Sequence, residues 1–225
     1  MKAVTYIRLN AVASPRLSAA QNRLEKSIRA FGLHPLPFPA GKKLVLIGEV
    51  LRAAREVSEG DAFVWCNSDV VLTRDPFDVP DPGCVYGFHR REVPSGEINL
   101  GVDMIYLPVP AWDQILSRDV PPLYAGASFV DWWIPRLMTS RGSYHNLEGY
   151  IDHETHPTSA ASGSDANPHY QHNFRAYNRF AARNGLARIP APPYLVPGVG
   201  HVWGVRDLLK RVFRPQSHGL KRENF

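Results

Sequence analysis

Two periods of apolar residues run through the first half of the chain. Residues 3–9, Ala-Val-Thr-Tyr-Ile-Arg-Leu, are rich in β-branched and aromatic side chains and alternate in part, which predicts a strand. From Ser18 to Phe31 the spacing changes. Ala20, Leu24, Ile28 and Phe31 fall on one helical face, and Gly32 follows as a stop. Residues 34–41 hold three prolines and a glycine and read as a loop. Helical spacing returns over 44–57, with Ile47, Val50, Leu51 and Ala54 on one side. Then five apolar residues stand in a row, Ala62 to Cys66, the mark of a strand buried on both faces. The run stops abruptly at Asn67, Ser68 and Asp69 before Val70, Val71 and Leu72 resume it.

The second half is less regular. Short strands are expected at 84–88 and 102–107, and a helix at 129–139 that Pro135 would kink or whose first turn it would mark. Residues 157–168 read as a loop. Asn167-Pro168 caps and opens a helix running to about Arg183, with Tyr170, Phe174, Tyr177 and Ala181 on one face and Asn184-Gly185 as its end. Residues 190–200 carry four prolines and two glycines, and a last amphipathic piece covers about 204–213. The alternation of strands and helices predicts an α/β layered fold.

Composition alters this picture at one point. The length of 225 residues suits one domain with its own core. No apolar run approaches a membrane span and the N-terminus lacks a signal-peptide stretch, so the expected location is cytoplasmic. Two cysteines make neither a disulfide framework nor a zinc cluster. The net charge of +5, however, is uneven. Arg206, Lys210, Arg211, Arg214, Lys221 and Arg222 face only Asp207 and Glu223 in the last twenty residues. The expected organisation is therefore a domain over 1–205 and a basic tail over 206–225. That tail is either a solvated terminus or a contact for a polyanion or a membrane surface.

The chemistry concentrates at Asn67-Ser68-Asp69. Open α/β sheets bind ligands beyond the carboxyl ends of their strands, and a carboxylate there is placed to meet a cation. Mg²⁺ or Mn²⁺ takes oxygen ligands, including those of substrate phosphates. A side chain that merely caps a turn is the plain alternative.

The run Asp61-Ala-Phe-Val-Trp-Cys-Asn-Ser-Asp-Val-Val-Leu72 resembles the strand and metal-binding motif of GT-A-fold glycosyltransferases. Further likenesses follow in order. They are Lys43 to Leu51 as the helix leading into the motif, Gly101-Val-Asp-Met-Ile-Tyr106 as the strand after it, Asp131-Trp-Trp133 at a helix head, and Ile151-Asp-His-Glu-Thr-His156 as a late histidine-bearing strand. Asn67 departs from the pattern, which has a carboxylate in its place. The resemblance implies a GT-A-like, Rossmann-like α/β domain with a mixed, mostly parallel sheet flanked by helices. It implies an enzyme that moves a sugar from a nucleoside-diphosphate-sugar donor to a hydroxyl of an acceptor (a glycan, a lipid-linked group or modified nucleic acid).

The same resemblance implies roles. Asp69 holds Mn²⁺ or Mg²⁺ with His153 or His156, while Arg8, Asn10, Asn67, Ser68 and Asp69 meet the nucleotide. Asp103, Trp132 and Trp133 meet sugar or acceptor, and Asp131 serves as general base. Two residue-level alternatives stay open here: Trp132 and Trp133 as core, and Asp131 as a helix cap. In a strand, His153 and His156 point to opposite faces, so at most one reaches the site. Two other functions also remain. A metal-dependent hydrolase or nuclease would use Asp69, Asp152, His153 and His156, although His-Glu-Thr-His lacks the zinc-protease spacing. A sugar-nucleotide-binding module without catalysis would fit the missing carboxylate at Asn67.

Overall fold

The computed structural model describes residues 2–8, 15–39, 45–58, 60–118, 120–125, 130–154 and 168–189. The chain divides into two units, Met1–Arg188 and Ile189–Phe225, and of the second only Ile189 lies among the described residues. The expected boundary at 205 and the basic tail after it therefore lie outside them. So do the loop over 157–167 and the amphipathic piece at 204–213.

Seven strands form one sheet in the order β2-β1-β3-β6-β5-β7-β4. The strands are β1 Ala3–Arg8, β2 His34–Pro39, β3 Ala62–Cys66, β4 Val70–Leu72, β5 Val85–Val93, β6 Ile98–Pro108 and β7 Tyr144–Glu154. The helices are α1 Pro15–Ala30, α2 Ile47–Val57, α3 Val109–Leu116, α4 Val130–Thr139 and α5 Pro168–Arg183. The sheet is mixed. Parallel pairing dominates one side, where β1 lies between β2 and β3. On the other side β6 runs antiparallel to both β3 and β5, and β7 is parallel to β5 but antiparallel to β4. Among the described residues no helix is long and apolar enough to cross a membrane.

β2 replaces the loop expected at 34–41. Its prolines occupy every second position, Pro35, Pro37 and Pro39, and it lies at the sheet's edge. The His34 amide donates to the Lys2 carbonyl at 3.1 Å, so the intervening residues turn their amides toward β1. The prolines fall on the outward edge, where no ladder donor is needed. An outer strand with no free edge donors also resists pairing with another chain.

β3 is buried at all five residues, as its continuous apolar run predicts. Val64 and Cys66 join one core with Leu24 and Ile28 of α1 and Val4 and Tyr6 of β1. On the opposite face the ring of Phe63 lies 4.3 Å from that of Trp112 in α3. α3 itself was not foreseen. Its eight residues begin with Pro110 in the first turn, where the missing amide costs nothing. α4 keeps Pro135 inside it, although such a proline costs about 3 kcal/mol in an isolated helix. Burial of Trp133, Ile134, Leu137 and Met138, each at most 3% exposed, outweighs that cost.

β5 and β6 are longer than the short strands expected. They form a hairpin whose turn, Pro94 to Glu97, is closed by the Glu92 amide on the Glu97 carbonyl and the Gly96 amide on the Glu92 carbonyl. Gly96 has φ +75°, a conformation few other residues adopt cheaply. β7 likewise extends back to Tyr144, well before the expected histidine-bearing strand.

Candidate functional site

The abrupt end of β3 places Asn67 beside β6. The register pairs Cys66 with Met104, and the Asn67 amide continues it by donating to the Asp103 carbonyl at 2.8 Å. Ser68 and Asp69 then turn the chain into β4. Val70 in β4 pairs with His153 in β7, and His153 pairs in turn with Glu92 in β5. Five strands thus bring one polar residue each, or its sequence neighbour, to the same end of the sheet.

Irregular pairing sets their aim. β5 and β6 lose register between Phe88 and Arg90, where the pairing skips Asp103 between Met104 and Val102. Such bulges reorient side chains at sheet ends. Here the result is a closed run of polar contacts. The Asn67 side-chain amide donates to Asp103 Oδ1. Arg90 donates from one guanidinium nitrogen to Asp103 Oδ2 at 2.8 Å and from Nε to Glu92 Oε1 at 2.7 Å. Asn99 adds a donor to Glu92 Oε1 at 3.1 Å. Glu92 Oε2 lies 2.8 Å from His153 Nδ1, and His153 Nε2 faces Asp69 Oδ2 at 3.4 Å.

The electrostatics follow from burial. Asp103 is 6% exposed and His153 4%. Burial is the largest influence on the Asp103 carboxyl and leaves it raised, although Arg90 pulls it down. Burial acts the same way on Glu92, but there the donors prevail. His153 and Arg90 together hold its carboxyl down at about 2. The His153 imidazole is raised, chiefly by Asp69 and against its burial. Burial pushes the Cys66 thiol up, as expected for a core cysteine.

Of the sequence-derived candidates, the fold therefore assembles Asn67, Ser68, Asp69, Asp103 and His153. It gives Asp103 another part than expected. Both its oxygens are engaged, by Asn67 and Arg90, so it anchors the site from within and does not present itself to sugar hydroxyls. Trp133 is also corrected. It is 1% exposed and meets Phe180 of α5 edge-on at 6.0 Å, so its ring is core and no sugar platform. Trp132 is half-buried, with the Arg136 guanidinium 5.4 Å from its ring centre. Asp131 lies in the first turn of α4 and Arg8 ends β1, but the side chains of both lie outside the described residues. Asn10 and His156 lie outside them entirely. Asp152 points away from His153 and binds Arg91 through two bonds of 2.8 and 2.9 Å.

Arg90, Glu92 and Asn99 escaped the sequence reading. A charged run after the apolar residues 85–88 looks like a solvated strand end. Only the alternation that puts Arg90 and Glu92 on one face hinted otherwise.

The donor set fits part of a divalent cation's shell. One carboxylate oxygen and one imidazole nitrogen 3.4 Å apart match two ligands at about 2.1 Å from a shared ion, which stand roughly 3.0–3.4 Å apart. Glu92 on the far nitrogen completes a carboxylate–histidine arrangement typical of metal-binding histidines. Among the described residues no three His, Cys, Asp or Glu side chains converge as a full metal cluster. Water and substrate oxygens usually supply further ligands of Mg²⁺ and Mn²⁺.

No family model matches the sequence, and no curated protein matches it. Several solved structures are similar to it at low identity. One is a glycosyltransferase involved in glycosylating the major capsid of PBCV-1, with 15% identity over 70% of this chain and 94% of that one and a TM-score of 0.46. Another is a Drosophila β1,4-galactosyltransferase 7 mutant in complex with manganese, UDP-Gal and xylobiose, with 8% identity, coverage of 90% and 82%, and a TM-score of 0.43. A third is HddC from Yersinia pseudotuberculosis with GMP-PN, with 10% identity, coverage of 80% and 100%, and a TM-score of 0.42. At these values the functional reading rests on the site itself.

Proposed function

We propose that this protein is a glycosyltransferase that moves a sugar from a nucleoside-diphosphate donor to an acceptor hydroxyl, with Mn²⁺ or Mg²⁺ at Asp69 and His153. The observation that carries the reading is the facing of Asp69 Oδ2 and His153 Nε2 across 3.4 Å just beyond the end of β3. The likeness of Asp61 to Leu72 to a metal-binding motif supports it, because Asp69 stands where that motif carries a metal-binding carboxylate. A single carboxylate flanked by a histidine suits an ion that shares its shell with phosphate oxygens.

Each residue of the site contributes a definable part. Asp69 and His153 supply the donors for the ion, which when bound adds positive charge against a departing diphosphate. Arg90 bonds Asp103 and Glu92 and so holds in place the two carboxyls that meet Asn67 and His153. Asn67, tied to Asp103, holds the turn that presents Ser68 and Asp69. An inverting transfer needs a base for the acceptor hydroxyl, and Asp131 at the start of α4 is assigned that part.

A thermal-shift screen of UDP-, GDP-, dTDP- and CMP-sugars, with and without Mn²⁺, tests the reading. A ligand that binds only the folded chain raises the melting temperature, by mass action. One donor class should stabilise the wild type in a Mn²⁺-dependent way and release nucleoside diphosphate. Asp69→Asn should keep its own melting temperature within a few degrees and lose the Mn²⁺-dependent rise. If no nucleotide sugar shifts the wild type with or without Mn²⁺, or if Asp69→Asn responds like the wild type, the proposal fails.

A further inference from the structure

Glu92 has no part in the motif likeness, yet the sheet builds a fixed seat for it beside His153. The parallel register of β5 and β7 sets the two residues side by side. The Glu92 backbone is pinned at both its amide and its carbonyl by the hairpin turn. Its carboxylate is held at Oε1 by Arg90 and Asn99, which leaves Oε2 directed at His153 Nδ1. Arg90 is in turn fixed by Asp103, which Asn67 holds from just beyond the end of β3. The contacts that hold Glu92 run along β5 or to its neighbours β6 and β7, so its orientation is a property of the sheet and not of a flexible loop.

We infer that Glu92 is the positioning residue of the cation site, acting through His153. By accepting the Nδ1 proton it fixes the ring plane and the tautomer, so that the Nε2 lone pair is turned toward Asp69. An imidazole with both nitrogens unrestrained would spend part of its time with the wrong nitrogen, or the wrong edge, facing the carboxylate. Outer partners of this kind typically change metal affinity 10- to 100-fold when removed. The inference rests on the proposed function for the identity of the ion, but not for the Glu92–His153 contact.

The test is a double-mutant cycle on the full chain, read by calorimetric titration with Mn²⁺ alone, together with the imidazole nitrogen signals of His153 in metal-free protein. Glu92→Gln should weaken Mn²⁺ binding 10- to 100-fold in the wild-type background and cause no further loss in a His153→Ala background. A residue that merely stabilises the fold would cause the same loss in both backgrounds, and that result overturns the inference. So does an unchanged affinity. The nitrogen spectrum of the wild type needs no Glu92 variant. A protonated Nδ1 bonded to an acceptor supports the inference, and a proton residing on Nε2 alone overturns it. If the wild type binds no Mn²⁺, the cation site and the function reading fail, while the spectrum still decides whether Glu92 orients His153.

Discussion

Replacing Arg90 by methionine removes a guanidinium that bridges a buried and a half-buried carboxylate, and its cost can be worked from the contacts. Arg90 bonds Asp103 at 2.8 Å and Glu92 at 2.7 Å, and the carboxylate side chains are only 6% and 12% exposed. Methionine keeps much of the length and apolar stem but supplies no donor. Breaking a buried ion pair by deleting one partner costs about 3–5 kcal/mol, because the other charge stays desolvated. The lower end applies here, since Asn67 still donates to Asp103, and His153 and Asn99 still donate to Glu92. A loss of about 3 kcal/mol in a domain of this size lowers the melting temperature by about 10 °C. Urea unfolding of the wild type and Arg90→Met, compared at constant ionic strength, measures it directly.

The pH dependence gives a second check on the same variant. The Asp103 carboxyl already stands above its ordinary value, chiefly through burial, with Arg90 pulling against the rise. A raised carboxyl destabilises the fold above its unfolded pKa and is relieved on protonation as pH falls. Without Arg90 the rise is larger, so the deficit of Arg90→Met should shrink as pH falls from neutrality toward the ordinary carboxyl range. Asp103→Asn should then cost less in the Arg90→Met background than in the wild type. A deficit under about 1 kcal/mol, or one that does not change on acidification, refutes the view that Arg90 compensates buried charge.

Other outcomes follow from the same physics. Glu92, held at about 2, contributes stability that is present above the ordinary carboxyl range and lost as pH falls from about 4.5 toward 2. The shift corresponds to about 3 kcal/mol, and Glu92→Gln should flatten that acid limb in unfolding measurements; an unaltered slope would contradict the assignment. Trp112, fully buried against Phe63, should cost about 3–5 kcal/mol as Trp112→Ala without changing the Mn²⁺ response, since α3 packs away from the site. A loss of Mn²⁺ binding in that variant at temperatures where it remains folded would show that the core and the site are not separable.

Much of the architecture was legible in one dimension because it depends on local pattern. The 3.6-residue spacing in α1 and α2, the five-residue apolar run of β3 and the polar break after it are all consequences of which face each residue must bury. The break located Asp69 at a strand end, and the late histidine was recognised as a strand residue with only one face toward the site. Position in the sheet was not legible. The prolines of β2 look like a loop until the edge position shows that their missing amides face outward. Asp103 looked like a ligand for sugar until the skipped register of β6 turned it inward onto Arg90 and Asn67. Whether Trp133 is core or a sugar platform is decided only where α4 and α5 meet around it. Arg90, Glu92 and Asn99 carry no motif, because their function comes from neighbours on other strands and from the bulges that aim them. Sequence periodicity specifies which side chains are buried. Which charges then meet is decided by strand order and register, which link residues dozens of positions apart.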